Sequence, residues 1–242
     1  MTSSFISPAA GIRQHVRVYL DANLLAAGFV RTLLLLGGPV SDCRAFWSPY
    51  AEREAARHQP GGATPIAVVR KLYDLEVVPD SPSPKPLRDT DEKDKPILAS
   101  AAAAGAEFVI TENVKDFGIN DLAVLSMSAV HPDLFLTARM TREEYKFVLD
   151  AIAEKRQRDP RTPTAIHATE AAGKLPYLFL AHRDALGVDP AIQASKPARL
   201  RFRGVRCVRC ATIAPQPWEL IEGLCSSCRA GRRRCAGRRS ER

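Results

Sequence analysis

The chain has 242 residues, 45% of them hydrophobic and 26% charged, with a formal net charge of +8. That apolar fraction excludes general disorder, and the length suggests one or two domains. Uncharged apolar runs such as 97–106 are too short to span a bilayer, and no basic patch followed by an apolar stretch opens the chain. A cytoplasmic protein is the expectation.

The charge is uneven. Residues 199–242 hold twelve Arg against three Glu, a net +9, so the rest of the chain is close to neutral at −1. A basic tail on a near-neutral body points to a polyanion, most simply RNA. The cysteines follow the charge. Cys207, Cys210, Cys225, Cys228 and Cys235 lie in the tail, and only Cys43, read as an inert buried thiol, lies in the body. Without a secretory signal, such clustering favours metal ligation over disulfides.

In chain order, V-R-V-Y-L at 16–20 alternates like a strand and stops at Asp21. Residues 23–36 and 49–58 read as helices. Residues 75–78 read as a short strand, closed by a loop with four prolines between 79 and 86. The Ala-rich run 97–106 is a helix with Pro96 in its first turn and Gly105 near its end. Strands are expected at 108–110 and 122–127. Alternating strands and helices predict an α/β domain with a parallel sheet. From 133 onward only helices are expected: one around Tyr145, Val148, Leu149 and Ile152, one near 164–172, and one near 176–186 stopped by Gly187. The implied organisation is a domain at 14–130, a helical extension at 131–188, a linker at 189–198 and the Cys-rich tail at 199–242.

In open α/β sheets, ligands bind at the carboxyl ends of the strands. Asp21 ends the first strand. Asp116 follows the strand ending at Ile110. Asp91, Glu92 and Asp94 precede the Ala-rich helix, and Glu52 and Glu54 lie on the second helix. Singly, each acid has a plainer role as a cap, a turn or a solvated face. Gathered together they would repel, by roughly 1 kcal/mol per pair at ~4 Å in water and about 4 at an effective dielectric of 20. A divalent cation relieves that repulsion. Carboxylates suit Mg²⁺ or Mn²⁺, and such a cation activates water for attack on a phosphodiester.

Three segments carry a resemblance. V-Y-L-D-A-N-L-L (18–25), W-S-P-Y-A-E-R-E-A (47–55) and D-E-K-D-K-P-I-L-A-S-A-A-A-A-G-A-E-F-V-I-T-E-N-V-K-D-F (91–117), in that order and spacing, resemble a PIN-domain nuclease. The resemblance implies a PIN-like parallel sheet flanked by helices, and Mg²⁺- or Mn²⁺-dependent cleavage of RNA. It implies Asp21 as the first acid, Glu54 as the second with Glu52 as rival, and Asp94 as the third with Asp91 as rival. Asp116 is the fourth, although this chain carries Asn113 where some members place an acid. Asn23, Ser48, Thr111 and Asn113 would orient ligands or phosphate. H-P-D-L-F-L (131–136) and the helices after it resemble the extension of a bacterial subgroup related to VapC-type toxins, ribonucleases neutralised by an antitoxin. That likeness implies an antitoxin partner and allows a homodimer.

In the tail, Cys207-x2-Cys210-x14-Cys225-x2-Cys228 has a zinc-ribbon-like spacing, with a gap one residue short of the usual range. Trp218, Leu220 and Ile221 are the candidate core of that unit. The reading is a metal-dependent endoribonuclease whose tail holds the RNA backbone, most simply a toxin. An RNA-processing nuclease with a zinc ribbon and a non-catalytic RNA- or protein-binding module are the alternatives.

Overall fold

The structure, a computed structural model, describes residues 15–26, 28–73, 75–156, 159–214 and 219–231. Its centre is β1 (Val16–Leu20), where Val18, Tyr19 and Leu20 are fully buried. Beside it run β2 (Cys43–Phe46) and β3 (Phe108–Ile110), both parallel to it, and β4 (Ser128–Val130) extends the sheet parallel to β3. A fifth strand, β5 (Phe202–Gly204), closes the far edge antiparallel, giving the order β2-β1-β3-β4-β5. The fold is therefore α/β, with a mostly parallel sheet flanked by helices. Strands buried on both faces read as continuous apolar runs, as F-V-I at 108–110 does.

The chain leaves β1 for β2 on one side and later returns to β3 on the other. The end of β1 is thus the point where strand order reverses, where open sheets form a crevice. Around it stand α1 (Ala22–Ala26), α2 (Gly28–Val40), α3 (Pro49–His58), α4 (Ile66–Tyr73) and α5 (Lys95–Ala103). Then come α6 (Ile119–Val124), α7 (Pro132–Arg139) and α8 (Arg142–Lys155). The helix expected near 164–172 is built from α9 (Pro163–Ile166), a π-helical turn (His167–Ala171) and α10 (Ala172–Lys174), and α11 (Pro176–His182) follows. α8 opens with a full capping box, Thr141 with Glu144, and buries Tyr145, Val148, Leu149 and Ile152.

Several expectations need correction. Residues 122–127 are not a strand: α6 covers the first three of them, and the strand starts one residue later, at Ser128. The carboxylate of Asp121 explains the helix. It is buried and accepts from the amides of Arg88, Asp89 and Thr90, pinning the incoming loop. Residues 75–78 make only one bridge, Val77 to Trp47, before the prolines end pairing. The expected helix at 23–36 is two helices, and the second runs on to Val40. Gly38 permits this, because a Cβ there would sit 3.1 Å from the Cys43 carbonyl.

The described part of the basic tail is stitched into the body. Gly204, at φ +132°, lies so close to β4 that a Cβ would be 2.4 Å from Ser128 Cα. Only glycine permits both that backbone and that approach. Arg206 donates to the carbonyls of Ser126 and Ala211 and pairs with Glu107 at 3.3 Å. Arg209 donates to Ala138 O, and Arg139 returns two bonds to Val208 O and Arg209 O. Arg201 lies 3.7 Å from the centre of the Tyr177 ring. Arg201, Arg206 and Arg209, expected from the charge count to serve RNA, have protein partners. The segment expected as a linker is also tied down, through Ser195 to Ala172 O and Gly173 O. Among the described residues no helix is long and apolar enough to cross a membrane.

Candidate metal centres

Asp21 follows the last residue of β1 and is 3% exposed. Its carboxylate accepts from Ala22 N at 2.6 Å, Asn23 Nδ2 at 2.7 Å and Thr111 Oγ1 at 2.6 Å. Thr111 sits just past β3, one strand over, so two adjacent strand ends build one network. Its hydroxyl also accepts from Asn23 Nδ2 and from Asn113 N, which fixes its proton on Asp21. Ser48 is engaged elsewhere: its Oγ accepts from Tyr19 Oη at 2.8 Å.

Asp94 heads α5, but its side chain makes no cap bond; Pro96 in the first turn reduces the need for one. Instead its Oδ2 is buried with no hydrogen-bond partner, as is Oε2 of Glu54. Asp91, Asp94 and Asp116 bring carboxylate oxygens within 4.8 Å of one another. Asp91 is exposed and its carbonyl takes the amides of Asp94 and Lys95, so it makes the turn that aims Asp94. Asp116 closes a 3₁₀ turn (Val114–Asp116) and meets Lys93 Nζ at 3.5 Å.

Asp21 and Glu54 are not in that three-acid group, and their link to Asp94 is electrostatic. Burial pushes the Asp21 carboxyl up to about 6, against its hydrogen bonds, and the Glu54 charge adds to the rise. Burial pushes Asp94 up to about 7; Asp21, Asp116 and Glu54 add to that, and Lys93 opposes it. Lys93 is the one contributor that composition did not single out. Its signal is the D-E-K-D order, a cation set between acids.

The two rivals on α3 part clearly. Glu52 accepts from Trp47 Nε1 at 3.0 Å and from Arg70 Nη1 at 3.3 Å. Glu54 keeps a buried oxygen unpaired and raises both Asp21 and Asp94. If these acids hold a divalent cation, Glu54→Gln should weaken Mn²⁺ binding more than about tenfold while leaving the metal-free melt nearly unchanged. Glu52→Ala should do the reverse, costing about 1–3 kcal/mol through the orphaned indole N–H. Calorimetric Mn²⁺ titration beside thermal melts in EDTA separates them.

The second centre is the four-thiol cluster. The Sγ atoms of Cys207, Cys210, Cys225 and Cys228 lie within 4.8 Å of one another, and Cys210 Sγ is 3.8 Å from Cys225 Sγ. The first pair sits in a hairpin closed by Cys207 N to Thr212 O and by the Arg206–Ile213 bridge. The second precedes and enters α12 (Ser226–Arg229). The Cys225 amide donates to Cys207 Sγ at 3.4 Å. Hydrogen bonds from the Cys210 thiol and from nearby amides hold the Cys207 thiol below its ordinary value, while burial pushes Cys228 up. Around them pack Ala214, Leu220, Phe202 and Leu224. Ile221, expected in this small core, is 53% exposed, and Trp218 and Cys235 lie outside the described residues.

No family model, curated protein or solved structure matches the chain.

Three further buried titratable groups have structural partners. Asp133 accepts from the amides of Tyr177 and Leu178 at the start of α11. His167 stands between Tyr145 Oη at 2.9 Å and Phe179 O at 3.2 Å. His131 Nδ1 accepts from Asp133 N, capping α7.

Proposed function

We propose that the protein is a PIN-like, Mg²⁺- or Mn²⁺-dependent ribonuclease whose candidate ligands are Asp21, Glu54, Asp94 and Asp116. One observation carries the reading: two buried carboxylate oxygens, Glu54 Oε2 and Asp94 Oδ2, lack any hydrogen-bond partner near a strand-order reversal, and the Glu54 charge adds to the rise of Asp94. Buried acids keep their charge when paired or metal-bound, and a hard divalent cation matches an all-oxygen donor set.

When bound, such a cation supplies a Lewis acid to the scissile phosphate and a more acidic water. The chain's own residues do the rest. Thr111, Asn23 and the Ala22 amide hold Asp21 in one orientation, as partners of a ligating carboxylate must. Asp91 supports the turn below Asp94. Lys93 stands over the cluster, where its ammonium can meet a phosphate oxygen once the acids are neutralised by metal.

Zinc is the ion we assign to the four thiols. A tetrahedron of about 2.3 Å Zn–S bonds places sulfurs about 3.8 Å apart, the separation of Cys210 and Cys225. Purified protein incubated with total RNA should cleave it with Mn²⁺ and not in EDTA, and Asp21→Asn should be inert. Cleavage that survives EDTA refutes the metal reading. Absence of cleavage by the intact protein favours a non-catalytic binding module.

Two cellular roles fit this chemistry. The helical extension suits a toxin neutralised by an antitoxin. The Cys-rich unit, folded onto the sheet edge through β5, favours an RNA-processing nuclease. Growth arrest on expression of the wild type but not Asp21→Asn selects the first.

RNA retention should depend on the end of the chain. Residues 232–242 hold six Arg and one Glu, whereas Arg203, Arg206 and Arg209 donate to protein carbonyls. A chain ending at Gly231 should keep its zinc and its cleavage of short RNA. Its RNA affinity should depend less steeply on salt, with the log–log slope smaller by up to about 4, at roughly 0.7 per phosphate contact on single strands. Binding titrations from low to physiological salt, with Ca²⁺ in place of Mn²⁺, measure this. Equal slopes remove those arginines from RNA binding.

A further inference from the structure

Arg203, on β5, reaches back to the loop that carries Asp116. Its Nη1 donates to the carbonyl of Lys115 at 2.9 Å and to that of Phe117 at 3.1 Å. Those carbonyls flank Asp116, so one guanidinium nitrogen clamps the turn from both sides. The turn is otherwise thinly held: Asp116 N reaches Asn113 O at 3.0 Å and Phe117 N reaches Val114 O at 3.4 Å. The Asp116 carbonyl takes the amide of Asp91, so the position of this turn is passed to the neighbouring acid.

The other end of β5 runs directly into the thiol cluster. Val205 and Arg206 separate Gly204 from Cys207. Ala214 N closes on Val205 O at 2.7 Å, and Cys207 N closes on Thr212 O. β5 has three residues and pairs only with β4. So short an edge strand leans on the structures at its ends, Arg206 and the hairpin after it among them. The hairpin that carries Cys207 and Cys210 therefore bounds one end of β5.

We propose that Arg203 is a positioning residue that couples the two centres: an occupied four-thiol site holds β5 in register, and Arg203 then orders the 114–117 turn bearing Asp116. That this ordering sharpens the acid cluster's grip on a divalent cation rests on the function proposed above. A demonstrated two-way dependence between sites is what such coupling requires.

Residue-resolved amide hydrogen exchange on the full chain tests the coupling without any metal at the acids. In the zinc-loaded protein, Arg203→Gln should keep its zinc yet speed exchange at Asp116 and Phe117 about tenfold, with β3 amides unchanged as the internal control. Arg203→Lys, which lacks the planar fork, should restore part of the protection. Stripping zinc from the wild type should speed the same two amides, and stripping it from Arg203→Gln should add much less. Unchanged exchange in Arg203→Gln, or an equal effect of stripping in both proteins, overturns the coupling. A parallel Mn²⁺ titration should show affinity about three- to tenfold weaker in Arg203→Gln. If the wild type binds no Mn²⁺ that Asp94→Asn abolishes, the ribonuclease reading falls while the exchange result still decides the brace.

Discussion

Asp94→Asn should abolish Mn²⁺-dependent RNA cleavage while raising the melting temperature of the metal-free protein. The loss follows from the proposed ligand role: changes at groups that merely support a ligand cost 10- to 100-fold, so removal of a ligand should cost more than about a hundredfold. The gain follows from burial and charge. Burial first, then Asp21, Asp116 and Glu54, push the Asp94 carboxyl up to about 7 from 3.8, and Asp21 rises to about 6. Between about pH 4 and 7 the folded protein therefore holds protons that the unfolded chain has released, so metal-free stability falls as pH rises through that window. At about 1.4 kcal/mol per pH unit, the ionised Asp94 burdens the fold by on the order of 4 kcal/mol above pH 7. Asparagine keeps the shape without the charge and should recover roughly 1–3 kcal/mol, about 2–4 °C for each. Thermal melts in EDTA at pH 5 and pH 8 measure this. The wild type should lose stability between the two and the variant should lose less. With Mn²⁺ at pH 8 the order should reverse, because only the wild type gains binding energy. A variant less stable than the parent in EDTA would make Asp94 a structural residue.

Cys207→Ser should release the zinc and open the sheet edge. Structural zinc supplies about 10–16 kcal/mol of apparent binding energy in small peptides near neutral pH, far more than the few apolar groups around these thiols can replace. The affected unit is larger than the thiol loop, because β5 pairs with β4 and Arg206 and Arg209 are bonded into the body. The expected result is one zinc per chain in the wild type, close to none in Cys207→Ser, and an early melting step well below the wild-type transition. Exposure of the β4 edge should also promote aggregation, as unpaired edges do. Cys43→Ser is the matched control. Its thiol is buried between Arg139 Nε and Ser41 O and is not one of the four clustered thiols, and its loss should leave the zinc count at one. Mass-spectrometric metal analysis with calorimetry reads both quantities. Full zinc retention in Cys207→Ser would remove that thiol from the site.

Much of this was legible along the chain because it depends on local pattern. β1 and β3 are short apolar runs ended by polar residues, and α3 and α8 carry strong local signals, a proline start and a capping box. The four thiols are visible as two close pairs, since each knuckle is a local turn. Spacing could not show that Glu52 is taken up by Trp47 and Arg70 while Glu54 keeps an oxygen unpaired, because both lie on the same helix two residues apart. Residues 122–127 misled for a similar reason. An apolar run of that length suits a strand or a helix equally, and the buried Asp121 bonding to a distant loop decides between them.

The sequence by itself determined the α/β alternation, the acids at strand ends and helix starts, and the paired cysteines, because these rest on periodicity, caps and turns within a few residues. Only the tertiary structure decided which acids meet, and that residues 202–204 of the basic segment form a strand of the sheet. Arg203, Arg206 and Arg209 count as positive charge in a composition, but once folded they donate to carbonyls about 70 to 90 positions away in the chain. A charge sum does not include that desolvation and pairing, which exist only when distant backbone is brought within hydrogen-bond reach.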